Sequence, residues 1–172
     1  MKFFLTLSLI SAFIVAGFIL MGVSLDENVV VEESIVVEAP PAVVWNELTS
    51  FGQHHKWQKT IEALYNYNNS ARQIRYNFDR KTIMANQQVR IRENAQTIDF
   101  IKIGAEEYSE LQDIGGSMRT VALADGNTEV HWQITYTIPQ ISLKMINRFS
   151  LEEKIHKLLK KNLLSFKNYM ES

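Results

Sequence analysis

The residues best suited to chemistry in this chain are aromatic side chains spaced along stretches of alternating apolar and polar character: Tyr65, Tyr67, Tyr76, Phe78, Phe100, Trp132 and Tyr136. Their ring bodies can contact an apolar ligand, and the phenol groups can orient it. The same residues at strand spacing can equally fill a core, so a binding role depends on whether the fold leaves a cavity beside them. His54 and His55 are adjacent and close to Trp57, and imidazole titrates near neutrality. Neighbouring side chains on a helix or strand diverge, however, so the pair cannot face one ion, and no metal site is expected. His131 falls on the polar phase of its strand and His156 on the solvated side of its helix. Glu47, Arg90 and Tyr108 could each act as an acid-base or orienting group, but each reads more simply as a solvated or ion-paired surface residue. There is no nucleophile elbow, no His-Glu-x-x-His pattern and no Gly-rich phosphate loop. No catalytic residue and no cofactor is assigned.

Composition narrows the classes further. Eighteen basic residues face 19 acidic ones, for a net charge of −1. This gives no bulk attraction to nucleic acid, and no basic tract could neutralise a row of phosphates. The chain has no cysteine, which excludes disulfides, thiolate metal sites and a cysteine nucleophile. Its 172 residues fit one domain behind a leader. Oligomeric state is not legible.

The leader is residues 1–24. Phe3 to Val23 is uncharged and mostly apolar, and as a helix it would reach roughly 30 Å, enough to span a bilayer. Gly22-Val23-Ser24 is a poor cleavage site, which favours a retained signal anchor over a secreted product. Lys2 precedes the segment, while Asp26, Glu27, Glu32 and Glu33 follow it. That asymmetry predicts a single-pass membrane protein with an extracytoplasmic domain, periplasmic or at the cell surface. The folded domain is then residues 25–172.

Within that domain, Asn28 to Glu38 reads as a β-branched strand ending at Ala39. Pro40 and Pro41 set a turn and a helix start, with Val43, Val44, Trp45 and Leu48 as its apolar stripe. Phe51 to Trp57 reads as a turn and a second short helix. Alternation follows. Ile61, Ala63, Tyr65 and Tyr67 share one face, then Ile74, Tyr76 and Phe78 after a turn at 68–70, then Ile83, Ala85, Gln87, Val89 and Ile91 opposite Gln88, Arg90 and Arg92. A further strand covers Thr97 to Ile103. Gly104 to Gly116 reads as an acidic loop or irregular edge. The last hairpin joins Met118–Leu123 to Val130–Ile138 through Asp125-Gly126. After Pro139 the period becomes helical, with Ser150 and Glu153 as a capping box and Leu151, Ile155, Leu158, Leu159, Leu163, Phe166 and Met170 on one apolar face. Lys154, Lys157, Lys160, Lys161 and Lys167 give this helix a solvated face that could also approach anionic headgroups.

The order of a strand, Ala39-Pro40-Pro41, a helix bearing Val44, Trp45 and Leu48, and then Trp57 resembles the START-like superfamily. This group is also called Bet v 1-like, or the polyketide cyclase/dehydrase and lipid-transport proteins. The resemblance covers roughly residues 28 to 170. It implies an α+β helix-grip fold, a curved antiparallel sheet wrapped around a long C-terminal helix, with room for a cavity beneath the helix. Members include lipid carriers, hormone receptors and cyclases. The expectation is a membrane-tethered module that binds a lipid or other hydrophobic small molecule, with no nucleic-acid partner. The alternatives are an interaction domain for a membrane partner and an enzyme of the cyclase or dehydrase kind.

Overall fold

The computed structural model describes residues 13, 15–68, 70–78, 81–103 and 111–172, with the backbone only for residues 66–68, 76, 78, 81, 83, 102 and 103. Most of the apolar leader, residues 1–12 and 14, lies outside the described residues, as does the acidic stretch 104–110 with Tyr108. Residues 15–24 are helical. Among the described residues no helix is long and apolar enough to cross a membrane.

Alternating β-branched residues build the first strand, β1 (Asn28–Val37), which buries Val31 and Val37 while Val30 and Val36 face outward. Pro40 supplies the extended residue before α1 (Pro41–Thr49), and its carbonyl accepts from Val44 N at 3.1 Å to close the first turn. Of the apolar stripe read from the sequence, Val44, Trp45 and Leu48 are buried; Val43 is exposed. A 3-10 turn (Phe51–Gln53) leads into the single turn of α2 (His54–Trp57). Together these pieces carry the chain from one edge of the sheet to the other.

The sheet is seven-stranded and antiparallel, in the order β1-β7-β6-β5-β4-β3-β2. After β1 its strands are β2 (Ile61–Asn68), β3 (Ala71–Phe78), β4 (Lys81–Arg92), β5 (Thr97–Ile103), β6 (Gln112–Ala122) and β7 (Thr128–Thr137). The expected hairpins are present. Of the expected loop or irregular edge, Gly104 to Gly116, residues 104–110 lie outside the described residues, and residues 112–116 are the start of β6. Gly115 and Gly116 read as breakers in the sequence, yet their role is close approach. A Cβ on Gly116 would lie 2.5 Å from the carbonyl oxygen of Gln133 on β7, and one on Gly115 would lie 3.2 Å from that of Phe100 on β5. The ladder shifts register between Gln112 and Gly115, with Asp113 at φ 48°, as a bulge requires.

After β7 come α3 (Ile141–Ile146), a π turn (Asn147–Leu151) and α4 (Glu152–Met170) in one continuous helical path. The expected capping box is absent. Ser150 sits inside the π turn, no side chain caps α4, and Glu153 bonds Lys157 instead. The helix needs no cap there because the chain enters it already helical. Ile155, Leu159, Leu163 and Phe166 turn inward and meet the sheet's inner face, so the helix-grip arrangement is the observed one.

Trp57 joins the layers. Its ring lies 4.8 Å from that of Phe166 on α4, 6.1 Å from Trp132 on β7 and 4.8 Å from His54. His54 is fully buried, and its Nε2 lies 2.8 Å from the Leu48 carbonyl. A carbonyl only accepts, so Nε2 carries the proton. Burial, followed by the nearby Arg72 charge, pushes its pKa down to about 3, against the bond to Leu48, which acts the other way.

Two stability predictions follow from these positions. Gly116→Ala should destabilise the domain by about 2 kcal/mol, because a backbone oxygen cannot move aside as a side chain can; equal denaturant midpoints for the two proteins would refute the close-approach reading. For His54, the unfolded state takes up a proton below pH 6.5 and the native state does not until about pH 3, so stability falls as pH drops through that window. His54→Gln should remove about 1.4 kcal/mol per pH unit from that slope between pH 6 and 4. Urea titrations across the range measure it, and parallel profiles would contradict it.

Candidate functional site

Between the sheet and α4 lies a cavity of about 160 Å³. It exists because small residues occupy inward positions on two strands: Ala85 on β4 and Gly116 on β6 both line it. Its apolar wall is formed by Ile74, Ala85, Phe100, Ile114, Trp132 and Ile134 from the strands, with Leu111 just before β6. Leu151 from the π turn and Ile155 and Leu158 from α4 close it. Gln58, Thr60, Arg72, Gln87, Tyr136 and Asn162 add polar groups.

Arg72 dominates the electrostatics of that wall. It stands on the inward phase of β3 with Ile74, opposite Gln87 of β4, and is only 4% exposed. Its Nε donates to Gln87 Oε1 at 2.9 Å, and its Nη1 lies 3.4 Å from His54 Nδ1, the ring nitrogen left free to accept. The guanidinium carbon sits 4.5 Å from the Phe100 ring centre and 5.0 Å from that of Phe51, a cation-π arrangement on two faces. Burial lowers its pKa to about 9, which still leaves it charged at neutral pH.

Tyr136 is the other titratable group of the wall. Its hydroxyl donates to Asn147 Oδ1 at 2.6 Å. Burial, helped by the Glu152 charge, raises its pKa to about 12 against the effect of the Asn147 bond. Asn162 is 1% exposed on the apolar face of α4; its amide nitrogen reaches Thr60 Oγ1 at 3.4 Å, while its Oδ1 is buried with no donor among the described residues. Gln58 Oε1 is likewise buried, with no partner among the described residues.

Of the residues singled out from the sequence as ligand contacts, Phe100, Trp132 and Tyr136 line the cavity together. Tyr65 does not. It is 50% exposed, because β2 bulges between Ile61 and Ala63, which turns Leu64 toward Ile74 and pairs Tyr65 with Gln73. The side chains of Tyr67, Tyr76 and Phe78 lie outside the described residues. His131 sits on the outer face of the sheet between Glu32 at 2.9 Å and Glu129 at 3.1 Å, away from the cavity. His156 pairs with Glu33 at 2.8 Å. Among the described residues no group of three His, Cys, Asp or Glu could hold a metal ion.

Arg72, Gln58 and Asn162 were not singled out by the sequence reading, although a signal existed. Arg72 shares the strand phase of Ile74, Tyr76 and Phe78, and Asn162 falls within the apolar stripe of the last helix. A polar residue on an apolar phase is the informative exception.

The model of one protein family, polyketide cyclase / dehydrase and lipid transport, matches residues 28–171. No curated protein matches the sequence. Among solved structures, the fold is similar to that of the Zhui aromatase/cyclase from Streptomyces sp. R1128, with a TM-score of 0.71 at 12% identity over 84% of this chain and 94% of that one. It is also similar to ginseng major latex-like protein 151 from Panax ginseng, with a TM-score of 0.67 at 11% identity over 85% and 99%. A START superfamily protein from Mycobacterium smegmatis gives a TM-score of 0.59 at 15% identity over 83% and 97%. At such identities the likeness is one of fold. The family match covers the whole domain from β1 to the end of α4, and the chain belongs to the polyketide cyclase / dehydrase and lipid transport family.

Proposed function

We propose that the domain is a binding module for a small hydrophobic molecule, held in the cavity between sheet and C-terminal helix and kept beside a membrane by the N-terminal leader. The cavity carries the reading. An apolar space of about 160 Å³ is comparable to one that accommodates a benzene-sized guest, so a small apolar molecule suits it better than a whole two-chain lipid. The lining also favours binding over acid-base chemistry. Its described titratable residues are Arg72 and Tyr136, with pKa values of about 9 and about 12, and neither exchanges a proton readily at neutral pH.

The tether is supported by what surrounds the leader's exit. Phe13, Val15, Phe18, Ile19, Leu20, Met21 and Val23 leave large apolar side chains uncovered. Gly22 packs against Ile141 of α3, and Lys144 of α3 binds the Leu25 carbonyl at 3.3 Å and Glu27 at 3.2 Å. The leader therefore leaves the domain next to α3 and the π turn, where Ile146 and Phe149 are also exposed. Lys2 before the apolar run and the acidic residues after it favour an extracytoplasmic domain.

Native mass spectrometry of the full chain, released from lipid nanodiscs and repeated after solvent extraction, should show a stoichiometric apolar ligand, and Ala85→Phe should reduce its occupancy by about tenfold by filling the cavity. Undiminished occupancy in a folded Ala85→Phe variant would place the ligand elsewhere. For the tether, the full chain should remain with membranes after carbonate washing, and removal of residues 1–24 should release it. A full chain that washes off would end the anchor reading.

A further inference from the structure

The cavity wall holds a buried cation for which the described residues supply no counter-ion. Among the described residues every partner of Arg72 is neutral: Gln87 through Nε, His54 through Nη1, and the faces of Phe51 and Phe100. His54 cannot be otherwise, since it is fully buried with its one proton given to Leu48. Nη2 makes no hydrogen bond among the described residues, and the described lining contains no Asp or Glu.

A guanidinium placed only to stabilise a sheet would lean on a carboxylate or extend its head into water. This one is turned inward and fixed from several sides, so its free end is already oriented before any ligand arrives. Burial without a countercharge is costly, and the depressed pKa of Arg72 records that cost. Gln58, Thr60 and Asn162 line the same cavity and add neutral polar groups to its wall. A pure hydrocarbon would leave the guanidinium unsatisfied.

We propose that Arg72 is the anion-binding end of the cavity, and that the occupant is a small apolar carboxylic acid whose carboxylate pairs with the guanidinium while its hydrocarbon body lies against Phe100, Trp132 and Ile155. The proposal rests on the binding reading above and narrows its ligand class. Nη1 and Nη2 donate to the carboxylate oxygens in the planar fork geometry that arginine offers and lysine does not. His54 and Gln87 are positioning residues: they hold the guanidinium by its other edge.

The test compares two probes of nearly the same shape, benzoate and benzyl alcohol, both of the one-ring size that the cavity fits. Both are titrated calorimetrically at pH 7 into the full chain in zwitterionic nanodiscs, with empty discs as the blank. The acid should bind about tenfold more tightly than the alcohol. Arg72→Gln should abolish that advantage. The wild-type comparison decides the matter even where the variant fails to fold. An alcohol that binds saturably and at least as tightly as the acid overturns the carboxylate proposal and leaves the cavity reading standing. If neither probe binds above the blank, the binding reading falls and this proposal falls with it.

Discussion

A sheet with one dry face must be covered, and here one helix has to cover seven strands. Most of the architecture answers that constraint. α4 brings Ile155, Leu159, Leu163 and Phe166 along a single stripe, which is too narrow to fill a curved surface by itself. The short helices between β1 and β2 plug one end, and Trp57 reaches from them to both Phe166 and Trp132. Where the inward residues shrink to Ala85 and Gly116, no helix side chain compensates, and the cavity remains. The empty volume follows from placing small residues on a concave sheet, where packing to full density would have required larger ones.

The elements were legible because their periods are clean. β1, the hairpins and the long last helix follow directly from alternation, turn residues and an apolar stripe. The departures share a cause, since each depends on a contact between distant segments. Gly115 and Gly116 look like a loop until β5 and β7 are laid beside them. Ser150 and Glu153 spell a capping box, but the preceding residues are already helical and the box has nothing to cap. The candidate site was half legible for the same reason. Aromatic phase found Phe100, Trp132 and Tyr136, whereas one bulged residue in β2 was enough to send Tyr65 to the outer face. Arg72 and Asn162 were visible as polar interruptions of apolar phases. Their significance lies in burial and missing partners, which alternation alone does not report.

The same burial acts on two neighbouring bases with different results. His54 loses its charge, because an imidazole pKa starts near neutrality and desolvation takes it to about 3. Arg72 keeps its charge, because its pKa starts so high that a comparable penalty leaves it at about 9. The pair is therefore a neutral acceptor beside a cation, and not two repelling cations. This state also fixes the direction of the hydrogen bonds: Leu48 accepts from the imidazole, and the imidazole accepts from the guanidinium. An asparagine or leucine at position 54 would lack either that reach or that acceptor.

The π turn links the two ends of the molecule. Asn147 turns inward to take the Tyr136 hydroxyl and Leu151 reaches the cavity wall, while Phe149 between them stays 68% exposed. α3, directly before the turn, is held to the leader's exit through Lys144 and Ile141. A single short segment thus carries the contacts to the leader, an exposed apolar residue and part of the cavity wall. On the proposal that the leader sits in a bilayer, Phe149 would meet the lipid surface from the outer side of the segment whose inner side lines the cavity.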